Sequence, residues 1–457
     1  MNRLFGTDGV RGVANEFVTP ELALSLGRAG AYVLARHGAR RPVLVGRDTR
    51  LSGPLLENAL CAGIGSVGLD AWKLGIVTTP AVAFLTRHLG AAAGVMISAS
   101  HNPVEDNGIK FFASDGSKLP DALEDEIAGH VEAGAAPPRP TGAGVGEILD
   151  RRRVVRAYEQ HCVQLAGGDL RGLTVVVDAA YGAAYALAPR VLEALGASVV
   201  PLHCKPNGAK INVACGSTDL SPLREAVVAH PGSVGVAFDG DADRAQFVDE
   251  TGAIVTGDHV MMMLALDFAA RGELPTKTVV ATVMSNIGLE LALRDAGIKL
   301  VRTAVGDRYV LEAMRSGGHR LGGEQSGHVI DVEANTTGDG IATAVRVLRL
   351  AKVSAGLHGL AARMRTFPQV LVNVRAERVR LDDPQVCAAV RDATTRLDGK
   401  GRVLVRASGT EPVIRIMIEG PNDAEIRDLA RKIAEKVSAG GGGQDSGRSD
   451  RSVDASL

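Results

Sequence analysis

An apolar run in GVMISASHNPVEDNGIKFF (94–112) stops on a serine, and turn formers and charge follow it. Ser100 stands where a buried strand ends, and ligands of open α/β sheets gather beyond the carboxyl ends of strands. A serine offered there suits a nucleophile or a phosphate carrier. His101 is its neighbour, and adjacent side chains rarely share a productive hydrogen bond, so His101 reads as a loop-shaping or phosphate-contacting residue. Lys110 closes the stretch and suits proton transfer or charge stabilisation; the plainer reading is a solvated lysine.

In SVGVAFDGDADRAQFVDE (233–250) another apolar strand runs into Asp239, Asp241 and Asp243, with Arg244 next. Three carboxylates at alternate positions suit a hard cation with oxygen ligands, such as Mg²⁺ beside a phosphate. Without a cation, each like-charge pair costs about 4 kcal/mol at ~4 Å and an effective dielectric near 20. An EF-hand loop also begins D-x-D-x-D, and Glu250 falls at its twelfth position. Arg244 occupies the sixth, where that loop needs glycine, and the entry is a strand, which argues against it. An acidic solvated turn is the remaining alternative.

Three further stretches join these. In RLGGEQSGHVI (320–330), glycines permit close backbone approach, while Glu324 and Ser326 can bind hydroxyls or an amine; a plain glycine-rich hairpin stays open. In VRASGTEPVIRI (405–416), Arg406, Ser408, Gly409 and Thr410 suit a terminal phosphate, with Arg415 on the next strand able to point back. FGTDGVRG (5–12) brackets Asp8 and Arg11 with glycines, and Arg11 reads as a second phosphate clamp. GIGSVG (63–68) matches the dinucleotide fingerprint but ends a helix instead of opening one, so it reads as helix termination.

These groups need a frame. Length 457 predicts several domains, and 46% hydrophobic residues fit a globular chain. A net charge of −1 gives no bulk attraction for nucleic acid or acidic membranes. No run of about 18 apolar residues predicts a membrane span, and MNRLFGTDGVRG lacks a signal-peptide core. Five scattered cysteines without a CxxC suit reduced thiols in a cytoplasmic protein. Thr19-Pro20-Glu21 starts a helix, and strands alternate with helices through residue 100. Segments 75–100, 174–204 and 278–306 share a strand–turn–helix–strand layout. The fold class read from this is α/β: three similar α/β domains with mixed, mostly parallel sheets, then a small α+β domain after Pro368. The tail AGGGGQDSGRSDRSVDASL has little to bury and reads as disordered.

FGTDGVRG, ISASHNP, DNGIKFF, DGDADR, GGEQSGH and RASGTEP occur in this order. Over about residues 1–437 the chain resembles the bacterial phosphoglucosamine mutases of the α-D-phosphohexomutase superfamily. The resemblance implies four domains around a central cleft: 1–150 with the phosphoserine loop, 151–252 with the metal loop, 253–367 with the sugar loop, and a smaller mobile domain, 368–438, with the phosphate loop. The tail 439–457 has no counterpart in the family. The resemblance implies that Ser100 is a phosphoserine and that one Mg²⁺ is held by its phosphate with Asp239, Asp241 and Asp243. Arg11, Lys110 and His101 stand at the transferring group. Glu324 and Ser326 grip sugar hydroxyls, with Arg244, Asp307 and Arg308 in the substrate set. Arg406, Ser408, Gly409, Thr410 and Arg415 hold the other phosphate.

The implied activity is an isomerase interconverting glucosamine 6-phosphate and glucosamine 1-phosphate through glucosamine 1,6-bisphosphate. It supplies the amino-sugar precursor of UDP-N-acetylglucosamine and cell wall. Phosphomannomutase/phosphoglucomutase relatives usually carry a histidine near VGDRYV (305–310), whereas Asp307-Arg308 and Gln325 agree with the glucosamine branch. A phosphomannomutase/phosphoglucomutase is the alternative; an aspartyl phosphotransferase using Asp239 and a non-catalytic sugar-phosphate sensor come from other classes. Family habit points to a homodimer and to Ser100 primed by a kinase, by self-phosphorylation or by a bisphosphate.

Overall fold

Thr19 accepts a hydrogen bond from Leu22 N over 3.2 Å, and Pro20 opens the helix Pro20–Arg36, whose buried face is built of small and branched residues. The same device starts the helix Thr79–His88, where Thr78 accepts from Ala81 N. Both positions lack an intrahelical partner, which the hydroxyl supplies. The computed structural model describes residues 3–6, 8–38, 41–134, 137–376, 378–407 and 412–439. Ser408, Gly409, Thr410 and all the tail beyond 439 lie outside the described residues.

Three mixed sheets follow in sequence. In the first, β1 (Val10–Val13), β2 (Val43–Arg47), β3 (Ala71–Ile76), β4 (Ala93–Ile97), β5 (Asp106–Phe112) and β6 (Ile148–Asp150) lie in the order β1-β5-β4-β2-β3-β6. The second holds β7 (Thr174–Asp178), β8 (Ser198–Leu202), β9 (Val234–Phe238), β10 (Ala245–Val248) and β11 (Ile254–Val255), ordered β11-β10-β9-β7-β8. The third holds β12 (Thr278–Thr282), β13 (Lys299–Thr303), β14 (Leu321–Gly323) and β15 (Val329–Asp331), ordered β13-β12-β14-β15.

The three share one plan. A strand (β2, β7 or β12) pairs in parallel with the next strand in sequence on one side (β3, β8 or β13). On its other side it pairs in parallel with a third strand (β4, β9 or β14), which turns back into an antiparallel partner (β5, β10 or β15). The sheets are mixed, as expected, because each ends in an antiparallel return. One expectation is corrected. The unit equivalent to 174–204 and 278–306 is 43–76, not 75–100: β3 and β4 are separated by β2. Both segments carry the same strand–helix–strand hydropathy, and sheet neighbours cannot be read from that.

Among the described residues, those up to 285 and 289–364 pack as one unit, and 286–288 with those of 365–439 as another. One apolar cluster runs through the larger unit, from Val82 and Phe84 through Tyr158 and Val236 to Phe268, Leu293 and Val345. Each such side chain contributes roughly 1.5–3 kcal/mol on burial. Tyr158 keeps its hydroxyl satisfied in this core by donating to Asp339 Oδ1 over 2.6 Å. In the smaller unit, β16 (Gln369–Arg375), β17 (Arg402–Ala407) and β18 (Val413–Glu419) form an antiparallel sheet ordered β16-β18-β17. The helices Pro384–Leu397 and Asp423–Ser438 cover its core of Val386, Ile416, Ile426 and Ile433. Among the described residues no helix is long and apolar enough to cross a membrane. The five cysteines carry no disulfide.

Candidate active site

The returns from β4, β9 and β14 make three hairpin loops, and each carries one of the sequence-marked groups. Ser100 lies after β4, the aspartates after β9, and Glu324 after β14. Ser100 is buried and has φ +52°, a left-handed conformation costly for a residue with a Cβ. A fully buried arginine accounts for it. Arg50 Nη2 donates to Ser100 O (3.1 Å) and Asn102 O (2.7 Å), and Nη1 to Asp106 O (2.9 Å) and Pro103 O. Its Nε donates to Asp48 Oδ2 at 3.1 Å. All five guanidinium donors are thus used. Asp48 also accepts from Ser98 Oγ (2.6 Å), which accepts from Ser100 N (2.9 Å). Asn212, from the second domain, donates to Ser100 O at 2.8 Å.

Ser100 Oγ donates to Asp239 Oδ2 at 2.6 Å and lies 3.3 Å from His101 Nδ1. Gly240 permits this meeting, since a Cβ there would stand 2.6 Å from Ser100 O. Burial, aided by Arg244 and Arg11, pushes the His101 imidazole down to about 4, so the ring is neutral at pH 7.

Asp239, Asp241 and Asp243 are buried and offer oxygens within 4.8 Å of one another. Burial and the two neighbouring carboxylates push Asp239 well above the ordinary range. Burial opposes the charge of Asp243 too, but His328, Lys110 and Arg244 hold it well below that range. Asp241 Oδ2 accepts from Thr79 Oγ1 at 2.5 Å, whereas Asp241 Oδ1 and Asp243 Oδ1 are buried without a hydrogen-bond donor. Such orphaned oxygens cost about 1–3 kcal/mol each. This donor set fits a hard cation. Glu250 is no part of it: its carboxylate accepts from Leu357 N (2.7 Å) and His358 N (2.9 Å).

Glu324 Oε1 accepts from Gly306 N (3.3 Å) and Oε2 from Ser326 Oγ (3.4 Å). The loop is a glycine-rich hairpin, and it meets the strand that follows the three aspartates directly. Ala245 N donates to Gly327 O at 3.1 Å, where a Cβ on Gly327 would clash with Ala245 O at 2.3 Å. Arg11 and Lys110 reach Asp8 at 3.7 and 3.8 Å. Asp307 faces Lys118 and His328, while Arg308 turns away to Asp121 Oδ2 at 2.7 Å. Within the smaller unit Arg406 and Arg415 are cross-strand partners on β17 and β18. Partial burial and the Arg415 charge lower the Arg406 pKa, the mark of two cations facing one place.

Models of all four phosphoglucomutase/phosphomannomutase domains match: α/β/α domain I over residues 2–137, domain II over 155–252, domain III over 256–367 and the C-terminal domain over 371–436. Phosphoglucosamine mutase of Symbiobacterium thermophilum is 55% identical over 443 residues, covering 96% of this chain and 99% of its own. That of Moorella thermoacetica is 53% identical over 444 residues, 96% of this chain and 100% of its own. The chain belongs to the phosphoglucosamine mutases. The fold of a phosphoglucomutase/phosphomannomutase family protein from Burkholderia thailandensis matches with a TM-score of 0.80 at 24% identity, over 97% of this chain and 99% of that one. An Aspergillus fumigatus N-acetylphosphoglucosamine mutase, solved with GlcNAc-6P and magnesium, shares the fold with a TM-score of 0.65 at 19% identity, over 95% of each chain.

For a phosphoglucosamine mutase, the sequence motifs account for the groups at the loop tips and omit those that hold them. Arg50, Asp48, Asn212, Thr79, Lys118 and His328 were not singled out. RDTR (47–50) follows an apolar strand as Ser100 does, and that placement was the available signal. His328 lay inside a quoted motif; its Nε2 accepts from Gly338 N (3.2 Å), which leaves Nδ1 facing Asp243 Oδ2 (3.5 Å). A second group, Asp178, His203 and Cys215, also offers ligand atoms within 4.8 Å of one another. Asp178 there accepts from Ala180 N and Gly216 N, which accounts for its burial.

Proposed function

We propose that this chain interconverts glucosamine 6-phosphate and glucosamine 1-phosphate with Ser100 as the phosphoryl carrier. The observation that carries the reading is the Ser100 hydroxyl held at 2.6 Å from Asp239 within a buried triad in which Asp241 Oδ1 and Asp243 Oδ1 lack donors. In the first half-reaction the phosphorus–oxygen bond to phosphorylated Ser100 breaks and one to O1 of glucosamine 6-phosphate forms. The O1 proton passes to a base of the site, and the departing Ser100 oxygen takes up a proton to become the hydroxyl. Glucosamine 1,6-bisphosphate then turns over, and its 6-phosphoryl moves to Ser100, leaving glucosamine 1-phosphate. One clamp must therefore accept either phosphate.

Asp239, Asp241 and Asp243 would hold Mg²⁺ with the phosphoryl on Ser100. When bound, the ion supplies charge neutralisation to that group. Arg11 and Lys110 flank the transferring phosphoryl, whose transfer depends mainly on positioning and electrostatics. Neutral His101 shapes the loop and contacts the phosphoryl. Glu324 and Ser326 take sugar hydroxyls, with Arg244 and Asp307 beside them. Arg308, paired with Asp121, joins the substrate set only by leaving that exposed partner. Arg406 and Arg415 take the non-reacting phosphate together with Ser408, Gly409 and Thr410.

The test follows phosphorus NMR of glucosamine, glucose and mannose 6-phosphates with Mg²⁺ and protein primed by a sugar bisphosphate. A 1-phosphate signal growing fastest from the amino sugar is expected. Faster conversion of glucose or mannose would overturn the substrate, and free phosphate alone would overturn the mutase.

A further inference from the structure

Lys118 belongs to none of the sequence motifs, yet the chain fixes it firmly. Its backbone forms an antiparallel bridge with Phe112 at the end of β5, and Leu119 N donates to Phe111 O at 3.2 Å. Thr336 Oγ1, from the third domain, donates to Gly116 O in the same turn. From this seat Lys118 Nζ donates to Asp8 Oδ1 (2.9 Å) and to Asp307 Oδ1 (2.7 Å). Burial pulls the ammonium down, but the two carboxylates outweigh it and hold its pKa above the ordinary lysine value. Burial likewise pushes Asp8 up, and Lys110, Lys118 and Arg11 together hold it well below the carboxylate range.

Asp8 is the pivot. Arg11 and Lys110 stand 3.7 and 3.8 Å from it, too far for hydrogen bonds, while Lys118 takes the short contact. A carboxylate lacking that partner would draw both cations into direct bonds, and each bond removes a donor from a phosphoryl group. Asp307 is placed alike: Lys118 holds Oδ1, and Oδ2 stays 3.8 Å from His328 Nε2.

We propose that Lys118 is a positioning residue for phosphoryl transfer, a counter-cation that occupies Asp8 and Asp307 and so leaves Arg11 and Lys110 to meet the transferring group. The inference rests on the mutase reading above. It therefore begins with the wild-type chain: no turnover after priming overturns the reading and the inference together. In an active protein, Lys118→Met lowers kcat by about 100-fold, the scale of a misplaced catalytic group. KM for glucosamine 6-phosphate rises by less than about tenfold, through loosened Asp307, so that the larger part of the loss falls on kcat. Adding Asp8→Asn to Lys118→Met recovers about tenfold of kcat, since the carboxylate that captures the cations is gone. A purely structural lysine gives no such recovery. Wild-type kcat in Lys118→Met overturns the proposal, and so does a loss that Asp8→Asn leaves unrelieved. Melting temperatures check each variant, and if Lys118→Met fails to fold, Lys118→Gln takes its place in the same cycle with the same expectations.

Discussion

Ser100 Oγ donates to Asp239 Oδ2 across 2.6 Å, so a residue of the first sheet's hairpin is hydrogen-bonded to one of the second's. The hydroxyl and the first aspartate form a single buried polar unit. What happens to one side chain there is felt by the other.

Ser100→Ala should lower mutase turnover by several orders of magnitude, because no group remains to carry the phosphoryl. The same variant should show no mass increase of one phosphate after priming with a sugar bisphosphate. Near-normal turnover would remove Ser100 from its role.

Mg²⁺ should raise the melting temperature of the wild-type protein. At about 100 times Kd, binding to the folded state alone adds roughly 2.7 kcal/mol. Asp241→Asn should flatten that dependence by losing one oxygen of the set. The readout is the midpoint as a function of Mg²⁺ concentration, with Ca²⁺ alongside.

Arg50→Met should destabilise the larger unit by about 3–5 kcal/mol, the cost of stranding a buried charge. Burial lifts Asp48 to about 6 even with Arg50 and Ser98 pulling it down. Urea denaturation at pH 7 measures the loss. A deficit under about 1 kcal/mol would mean that the loop's carbonyls find other donors.

His259 sets a pH dependence of stability. Its Nδ1 accepts from Thr256 N (3.2 Å) at the start of the helix Gly257–Ala270, and burial lowers its pKa to about 4. The folded value lies below the unfolded one near 6.5, so the unfolded chain takes up the proton first as pH falls. Stability from neutral His259 is complete above pH ~6.5 and is lost progressively toward pH ~4, by about 3 kcal/mol at most. His259→Gln should flatten denaturation midpoints between pH 7 and 5 relative to the wild type.

Arg406→Ala should weaken binding of glucosamine 6-phosphate by about 1.5–3 kcal/mol, the scale of a hydrogen bond to a charged group. Calorimetry with Mg²⁺ present reads it. Unchanged affinity would take Arg406 out of the phosphate clamp.

What the sequence showed and what it hid divide along one physical line. Ser100, Asp239 and Glu324 were legible because each interrupts an apolar strand at its carboxyl end, a local pattern. The smaller domain's strands and helices were legible for the same reason, with GRVLVRAS and VIRIMIEG marking β17 and β18. Arg50 was not, because its function is to reach carbonyls 50–56 residues away. Lys118 was not, because Asp8 and Asp307 lie 110 and 189 residues from it. The choice between 43–76 and 75–100 as the repeated unit needed strand order, which hydropathy does not carry. Arg308 stood in a marked motif, but its pairing with Asp121, 187 positions away, is not readable from that motif.

The left-handed backbone at Ser100 has a thermodynamic consequence. Glycine adopts φ +52° without the steric cost of a Cβ, about 1–2 kcal/mol for an L-residue. Ser100→Gly sheds that strain, but it also strands Asp239 Oδ2, which accepts from the Ser100 hydroxyl, at about 1–3 kcal/mol. The two effects offset each other, so selection for thermostability alone gains little by removing the hydroxyl. The strained backbone and the carrier group are held together by the same hydrogen bond, and a screen for stabilised variants of this chain should be read against turnover from its first round.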